Sequence, residues 1–314
     1  MSKYKSLLLL ALCIGAVGAS AQQDPMHAQN FLNTLRINPA YAGYKETAVI
    51  SIFHRSQWVG FKGAPSTQTI TFDMPTKRGK VAFGGTISHD KIGPTSELTL
   101  MGDATYRAQV TRAGFISFGL KATGSLFQAN MTELELVSDH YGQQDDFFLS
   151  NSRSVFMPNV GFGFFFHDHK RFVSISVPRI LRNDLDSKTS ETYSFSSGFK
   201  EPILYASAGQ IWKINRNYKF QPTIQTKAVM NAPLSIGANA NLFIFDAFKV
   251  GAFYYWKEVA GAFIQVELDK KWKFGYSMDF AASRLAFTNF GSHEVMASYT
   301  LKAKRRRIVY PRYF

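Results

Sequence analysis

The sequence predicts an all-β chain folded as an up-and-down antiparallel transmembrane β-barrel of about fourteen strands. Three observations carry that expectation. Polarity alternates with a period of two along most of the chain from Thr47 onward. The polar face of the alternating segments carries ten charged residues, too many for a dry core. The connections between segments are sorted by parity, every long one at an odd place in chain order and every even place a short turn, as in a barrel whose loops are long on one side of a membrane only.

Composition removes several other classes. The chain has 314 residues, a formal charge of +14, 46% hydrophobic, 18% charged and 15% aromatic residues. So much apolar surface and so little charge exclude a disordered chain. A single cysteine excludes a disulfide framework. The longest apolar run, Leu7–Ala19, has 13 residues, short of the ~18 that a membrane-spanning helix needs. Lys3 and Lys5 precede that run and Ala19-Ser20-Ala21 closes it, so residues 1–21 read as a secretory signal peptide. Cys13 follows Leu12, not a small residue, and is no lipidation site. Processing leaves a cysteine-free chain of charge +12. The expected organisation is a periplasmic N-terminal segment at 22–46, an outer-membrane barrel at 47–302 and a basic periplasmic tail at 303–314.

Taken in order, the strands fall near 47–57, 66–74, 80–91, 97–110, 114–128, 157–166, 170–180, 202–213, 218–229, 233–243, 248–257, 259–268, 271–281 and 293–302. From Leu98 to Val110 the alternation puts Leu, Leu, Gly, Ala, Tyr, Ala and Val on one face. From Tyr218, Phe220, Pro222 and Ile224 oppose Lys219, Gln221, Thr223 and Gln225. Trp272, Phe274, Tyr276, Met278 and Phe280 oppose Lys273, Gly275, Ser277 and Asp279. Side chains alternate faces along a strand, so each segment is a half-apolar strand. The segments 47–57 and 157–166 alternate poorly. Strands of about ten residues suit a tilted bilayer crossing. The charges Asp103, Arg107, Lys121, Lys219, Lys227, Glu267, Lys273, Asp279, Glu294 and Lys302 must line a wet or plugged lumen, which leaves the apolar face to lipid. Residues 130–154 are long enough to fold into the barrel mouth, and 185–200 read as a loop.

Charge is also sorted by side. The six short turns carry ten cations against Asp168, Asp246 and Asp269, a net +7, and the tail adds +6. Together they exceed the whole processed charge, so the positive field belongs to one rim, the periplasmic one in this topology. Contact with lipid headgroups is one use for it, and docking of a periplasmic partner is the other. Candidate partner-binding residues are Lys77, Arg78, Arg112, Lys270, Lys271, Arg305, Arg306 and Arg307. An exported barrel meets no nucleic acid.

No enzyme site, metal site or cofactor site is expected. In Ser88-His89-Asp90 the histidine points to the opposite face from its neighbours, so it cannot serve as their base. His167-Asp168-His169 lies beside Lys170 and Arg171, which repel a cation. Gly161-Phe162-Gly163 is a glycine–aromatic strand pattern without a phosphate-loop context. Asp145-Asp146 sits in a loop without further ligands.

Several stretches carry a family resemblance. Gln23-Asp24-Pro25 leads to Asn38-Pro39-Ala40-Tyr41-Ala42-Gly43, then Arg55-Ser56-Gln57-Trp58-Val59-Gly60 and Gly63-Ala64-Pro65. Gly84 to Pro94, Ser176-Val177-Pro178 and Ser292 to Met296 follow. In this order they resemble the PorP/SprF family of type IX secretion and gliding-motility outer-membrane proteins. The residues that carry the resemblance most specifically are Asn38, Pro39, Tyr41, Gly43, Arg55, Gln57, Trp58 and Gly60. The resemblance implies a non-enzymatic, integral outer-membrane barrel that anchors or docks secretion components, either periplasmic ring lipoproteins or a secreted surface adhesin. The alternative for a barrel of this shape is a diffusion channel or a transporter of hydrophobic solutes. Asn38-Pro39 favours a turn, Gly43 allows a kink before the first strand, and Trp58 suits the membrane interface.

Overall fold

The computed structural model describes residues 32–76, 79–130, 154–181, 183–184, 199–230, 232–282 and 289–301. The strands are β1 (Val49–Ser56), β2 (Ser66–Pro75), β3 (Val81–Ile92), β4 (Thr95–Gln109), β5 (Phe115–Ala129), β6 (Val155–His167) and β7 (Arg171–Val177). A two-residue pair, β8 (Asn183–Asp184) and β9 (Phe199–Lys200), stands apart from the main sheet. Then come β10 (Ile203–Gln210), β11 (Trp212–Lys213), β12 (Tyr218–Val229), β13 (Ser235–Ile244), β14 (Phe248–Tyr255), β15 (Val259–Leu268), β16 (Trp272–Ala281) and β17 (Ser292–Thr300). Each main strand pairs antiparallel with its neighbour in sequence, and β1 pairs with β17 from Val49↔Thr300 to Ser56↔His293. The sheet is therefore closed, with no open edge for another chain to extend. β10 and β11 pair with β12 in one register, Gly209↔Thr223 and Trp212↔Phe220. They form a single stave, interrupted where Pro222 of β12 has no N–H to offer. Counted so, the barrel has fourteen staves, at the expected places.

The alternation has the polarity that a bilayer requires. Leu120 is 69% exposed while its neighbour Lys121 is 3% exposed. On β2 the inward residues are Thr67, Thr69, Thr71 and Asp73, and on β12 they are Lys219, Gln221, Thr223, Gln225 and Lys227. Outward stand Ile50, Ile52, Ile70, Ile87, Leu100, Phe118, Phe162, Ile224, Ile264 and Phe274. Such an exterior is stable only in an apolar solvent, and exposed Trp212, Trp272, Tyr254 and Trp256 supply amphipathic rings towards the strand ends. No helix among the described residues is long and apolar enough to cross a membrane; the crossing is made by strands.

The poorly alternating segments also become intelligible. β1 alternates strictly in burial, but Val49 and Phe53 point inward alongside Ser51 and Arg55, so apolarity marks both faces. β6 likewise turns Met157 and Phe165 inward. Phe165 has apolar company there, because the chain before β1 lies inside the barrel.

Candidate functional site

The lumen of a fourteen-stranded barrel is too wide to be filled by its own wall side chains. Here residues 32–44 run inside it as a strap. The sequence suggests a periplasmic N-terminal segment at 22–46; of its described part, residues 32–44 lie within the barrel. A helical turn at Thr34–Ile37 and a 3₁₀ turn at Pro39–Tyr41 shape the strap. Leu35, Ile37, Tyr41 and Tyr44 bury their apolar surface against the wall. Leu35, Tyr41 and Tyr44 form one cluster with Ala82, Phe165 and Phe172, with Tyr41 and Tyr44 meeting Phe165 edge-on. Ile37 joins Ile203 and Tyr205.

The Asn38–Gly43 motif is the strap's anchor. Asn38 Oδ1 accepts the N–H of Ala40 at 2.8 Å, which stabilises the turn that Pro39 opens. Asn38 Nδ2 donates to the Phe164 carbonyl at 2.9 Å and to Ser174 Oγ at 2.7 Å. Thr105 Oγ1 donates to the Pro39 carbonyl at 2.6 Å, and Ser176 Oγ to that of Ile37 at 2.8 Å. Lys121 Nζ pairs with Asp103 at 2.8 Å and donates to the Leu35 carbonyl at 3.3 Å. The wall leaves space for this contact. Gly119 of β5 and Gly163 of β6 are cross-strand partners facing the lumen. A Cβ on Gly163 would fall on Asn38 Oδ1, and one on Gly119 would fall on the main chain of Pro39 and Ala40. Gly43 has φ +72° and donates its N–H to Asp73 Oδ1 at 2.5 Å; its missing Cβ makes room for Ala82.

The second half of the motif works at the other end of the wall. Arg55 points into the lumen, 1% exposed, and grips Asp279 through two nitrogens at 2.6 and 3.0 Å. Glu294, the cross-strand partner of Arg55, lies 3.5 Å from the same guanidinium. A bidentate pair of this kind fixes three strands at a set register. Gln57 is buried, and its N–H reaches the Pro65 carbonyl at 2.9 Å. Trp58 is half-buried at φ +45°, and Gly60 at φ +97° rests against the Phe290 ring. The 57–65 loop is tied to its neighbours by Val59 N–H to Gly291, Phe290 N–H to Val59 and Gly93 N–H to Gly63.

The rim candidates stand at the short-turn end. Arg112 and Lys270 are exposed and Lys271 is half-buried. Asp269 and Lys270 both take positive φ, the geometry of a tight two-residue hairpin. Two of the three rim acids are engaged locally. Asp168 Oδ1 accepts the N–H groups of Lys170 and Arg171, and Asp246 pairs with Lys219. Just inside this mouth, burial and then the Lys273 ammonium push the Lys45 amine down to about 8, with Asp73 and Glu267 opposing. Lys77, Arg78, Arg305, Arg306 and Arg307 lie outside the described residues, as do 1–21, where a leader is expected, Asp145-Asp146 and most of the 130–154 and 185–200 connections.

Among the described residues, the sequence candidates assemble no catalytic constellation. Ser88 and Asp90 face the lumen and hydrogen-bond each other at 3.2 Å, while His89 stands outside on Gln68. His167 is buried against Tyr44, 4.8 Å between ring centroids. Among the described residues no three His, Cys, Asp or Glu side chains are grouped to hold a metal. What the sequence did not reveal is that Gly119, Gly163, Thr105, Ser174 and Ser176 hold the strap. Their only signal was glycine and hydroxyl residues on the inward register, and that register could not say what they face.

The family model for the type IX secretion system membrane protein PorP/SprF matches residues 19–299, nearly the whole chain. The chain belongs to the PorP/SprF family. No curated protein matches it. Among solved structures, the CymD monoaromatic hydrocarbon channel covers 89% of this chain and 94% of its own at 8% identity, with a TM-score of 0.53. A Pseudomonas aeruginosa FadL homologue covers 83% and 92% at 9% identity and 0.46. The Acinetobacter baumannii outer membrane protein Omp33 covers 82% and 100% at 11% identity and 0.43. At these identities the likeness to CymD is one of fold. This PorP/SprF chain is a closed antiparallel barrel of outer-membrane type, with its motif residues divided between a lumenal strap and a loop-end fixture.

Proposed function

We propose that this PorP/SprF barrel is a non-enzymatic anchor in the cell outer membrane, docking other components of the type IX secretion and gliding machinery. The observation that supports this most is the sorting of charge. Arg112, Lys170, Arg171, Arg216, Lys270 and Lys271 gather at the short-turn rim, where the strap enters and β17 ends. A cationic ring in water at the membrane surface attracts an acidic face within about a Debye length, ~8 Å at physiological salt. The partner at that rim is a periplasmic lipoprotein of the secretion ring, and the tied outer loops receive a secreted surface adhesin. The strap, which crosses the lumen, favours the anchor over the diffusion channel.

The test is affinity recovery of the full-length protein from cross-linked cells. One arm reverses charge at Arg112→Glu, Lys270→Glu and Lys271→Glu, and a second removes 303–314. The expected result is loss of periplasmic partners in both arms, reduced in the wild type by raised salt. Undiminished recovery in both arms overturns the docking role of the rim.

A further inference from the structure

The strap has a direction. Tyr44 sits beside His167, the last residue of β6 at the short-turn end. Asn38 lies further up, against Gly163 and Ser174. Ile37 clusters with Ile203 and Tyr205, and Val229 packs against that cluster, at the long-loop ends of β10 and β12. Leu32 packs, as Val259 does, against the cluster of Phe253, Tyr255 and Phe263, close to where β14 and β15 meet at the long-loop end. Read backwards from β1, the chain therefore climbs from the inner mouth into the outer half of the lumen.

From the rung of Tyr255, near which Leu32 packs, down to that of Gly251, the wall changes character. Gln221 and Gln225 of β12 and Asn239 and Asn241 of β13 all turn inward and are nearly fully buried. Asn239 is the cross-strand partner of Phe253, a member of the cluster against which Leu32 packs. Gln225 is engaged by the Tyr255 hydroxyl at 2.6 Å and Gln221 by Asn241 Nδ2 at 3.2 Å. Both polar atoms of the Asn239 side chain, 3% exposed, have no hydrogen-bond partner among the described residues, and neither has Asn241 Oδ1. A carboxamide offers one acceptor and an N–H donor pair side by side, the same pattern as a peptide group. Unpartnered buried amides are costly, and a peptide main chain can satisfy both halves of Asn239 and the free oxygen of Asn241.

We propose that this amide wall is a binding groove for an extended peptide, and that its occupant is the chain's own segment 22–31, which places the processed N-terminus at the outer mouth. Continuity supports the choice, because residue 31 is joined to Leu32, which packs on the cluster containing Phe253, the cross-strand partner of Asn239. Reach supports it too. Ten extended residues span up to about 33 Å, whereas only two residues of β14, about 7 Å, separate Phe253 from the strand end. The segment is itself rich in side-chain amides, with Gln22, Gln23, Gln29 and Asn30.

The only cysteine, Cys13, lies in the leader, so introduced cysteines report without background. The first measurement is disulfide formation in cells between Asn30→Cys and Asn239→Cys, with Asn30→Cys and Ser117→Cys, on the β5 wall, as the comparison pair. The second is labelling of Gln23→Cys in intact cells by a membrane-impermeant maleimide, with the amide wall left unaltered. Bridging of 30 to 239 but not to 117, and labelling of position 23 without permeabilisation, are expected. Labelling of position 23 only in permeabilised cells overturns the proposal, whether or not the paired variants fold. So does capture of position 239 by another protein in place of position 30.

Discussion

Adding one methyl group at Gly163 tests whether the strap is held as described. In the wall, Gly163→Ala is an unremarkable strand substitution, but its Cβ falls on Asn38 Oδ1. Asn38 makes three hydrogen bonds there, to Ala40, Phe164 and Ser174, each worth roughly 0.5–1.5 kcal/mol net. Overpacking a filled site costs typically about 1–3 kcal/mol. The strap yields before the barrel ladder does, so only part of these sums is expressed, and the loss is set at about 2–4 kcal/mol of docking free energy. At a tenfold change per 1.4 kcal/mol, that is about 30- to 1,000-fold more frequent release. Hydrogen exchange in detergent micelles reads it at the N–H groups of Ala40 and Gly43, which bond to Asn38 and Asp73. Gly102→Ala is the control, since a Cβ there meets no atom within 4 Å. If Gly163→Ala and Gly102→Ala exchange at the wild-type rate alike, the strap does not depend on Asn38 and the assignment of the motif is wrong.

Three other outcomes follow from the same geometry. Arg55→Leu leaves Asp279 and Glu294 buried without their shared cation and should cost about 3–5 kcal/mol in urea unfolding from micelles; adding Asp279→Asn and Glu294→Gln should recover most of it, and a wild-type midpoint for Arg55→Leu alone would remove the pair's importance. Leu120→Lys places a charge on the most exposed stretch of the lipid-facing wall and should cost roughly 2–4 kcal/mol of folding into vesicles, while an unchanged folding midpoint would mean that this face is not in lipid. The Lys45 amine titrates near 8 in the folded chain against 10.5 ordinarily, so burial disfavours its charged form and folding gains as pH rises through 8 towards 10.5; Lys45→Met should lack that alkaline gain in thermal unfolding at pH 7 and 9.5, and identical pH dependence in the two proteins would count against burial of the amine.

The barrel wall was legible because its information is local. One residue's polarity relative to the next settles which way each points, and Leu120 beside Lys121 needs no knowledge of distant chain. The charge of the lumenal face then chose lipid for the other, since Asp103, Lys121, Asp279 and Glu294 cannot occupy a dry core unpaired. Pairing inside that face was not legible. Arg55 meets Asp279 across 224 residues of sequence, and alternation fixes only that both point inward. The same limit hid the strap. Asn38 and Ser174 are 136 residues apart, and Asn38-Pro39 read alone says turn without saying where the turn is held.

The signal for the strap is a mismatch between a wet lumen and the residues that face it. A wide polar lumen has no use for bare glycine at paired inward positions, yet Gly119 faces Gly163 across one ladder rung. Nor has it use for Phe165 and Phe172 on the inward register of adjoining strands. Glycine next to aromatic on a wet face is what a wall looks like when a second chain lies against it, main chain on the glycines and rings on the aromatics. A segment rich in apolar residues before the first strand, Leu32 to Tyr44 with Leu35, Ile37, Tyr41 and Tyr44, is the nearest chain able to fill that description. Read together, the inward glycines and the apolar lead-in specify a plug; read one at a time, they are a weak strand and an unattached tail.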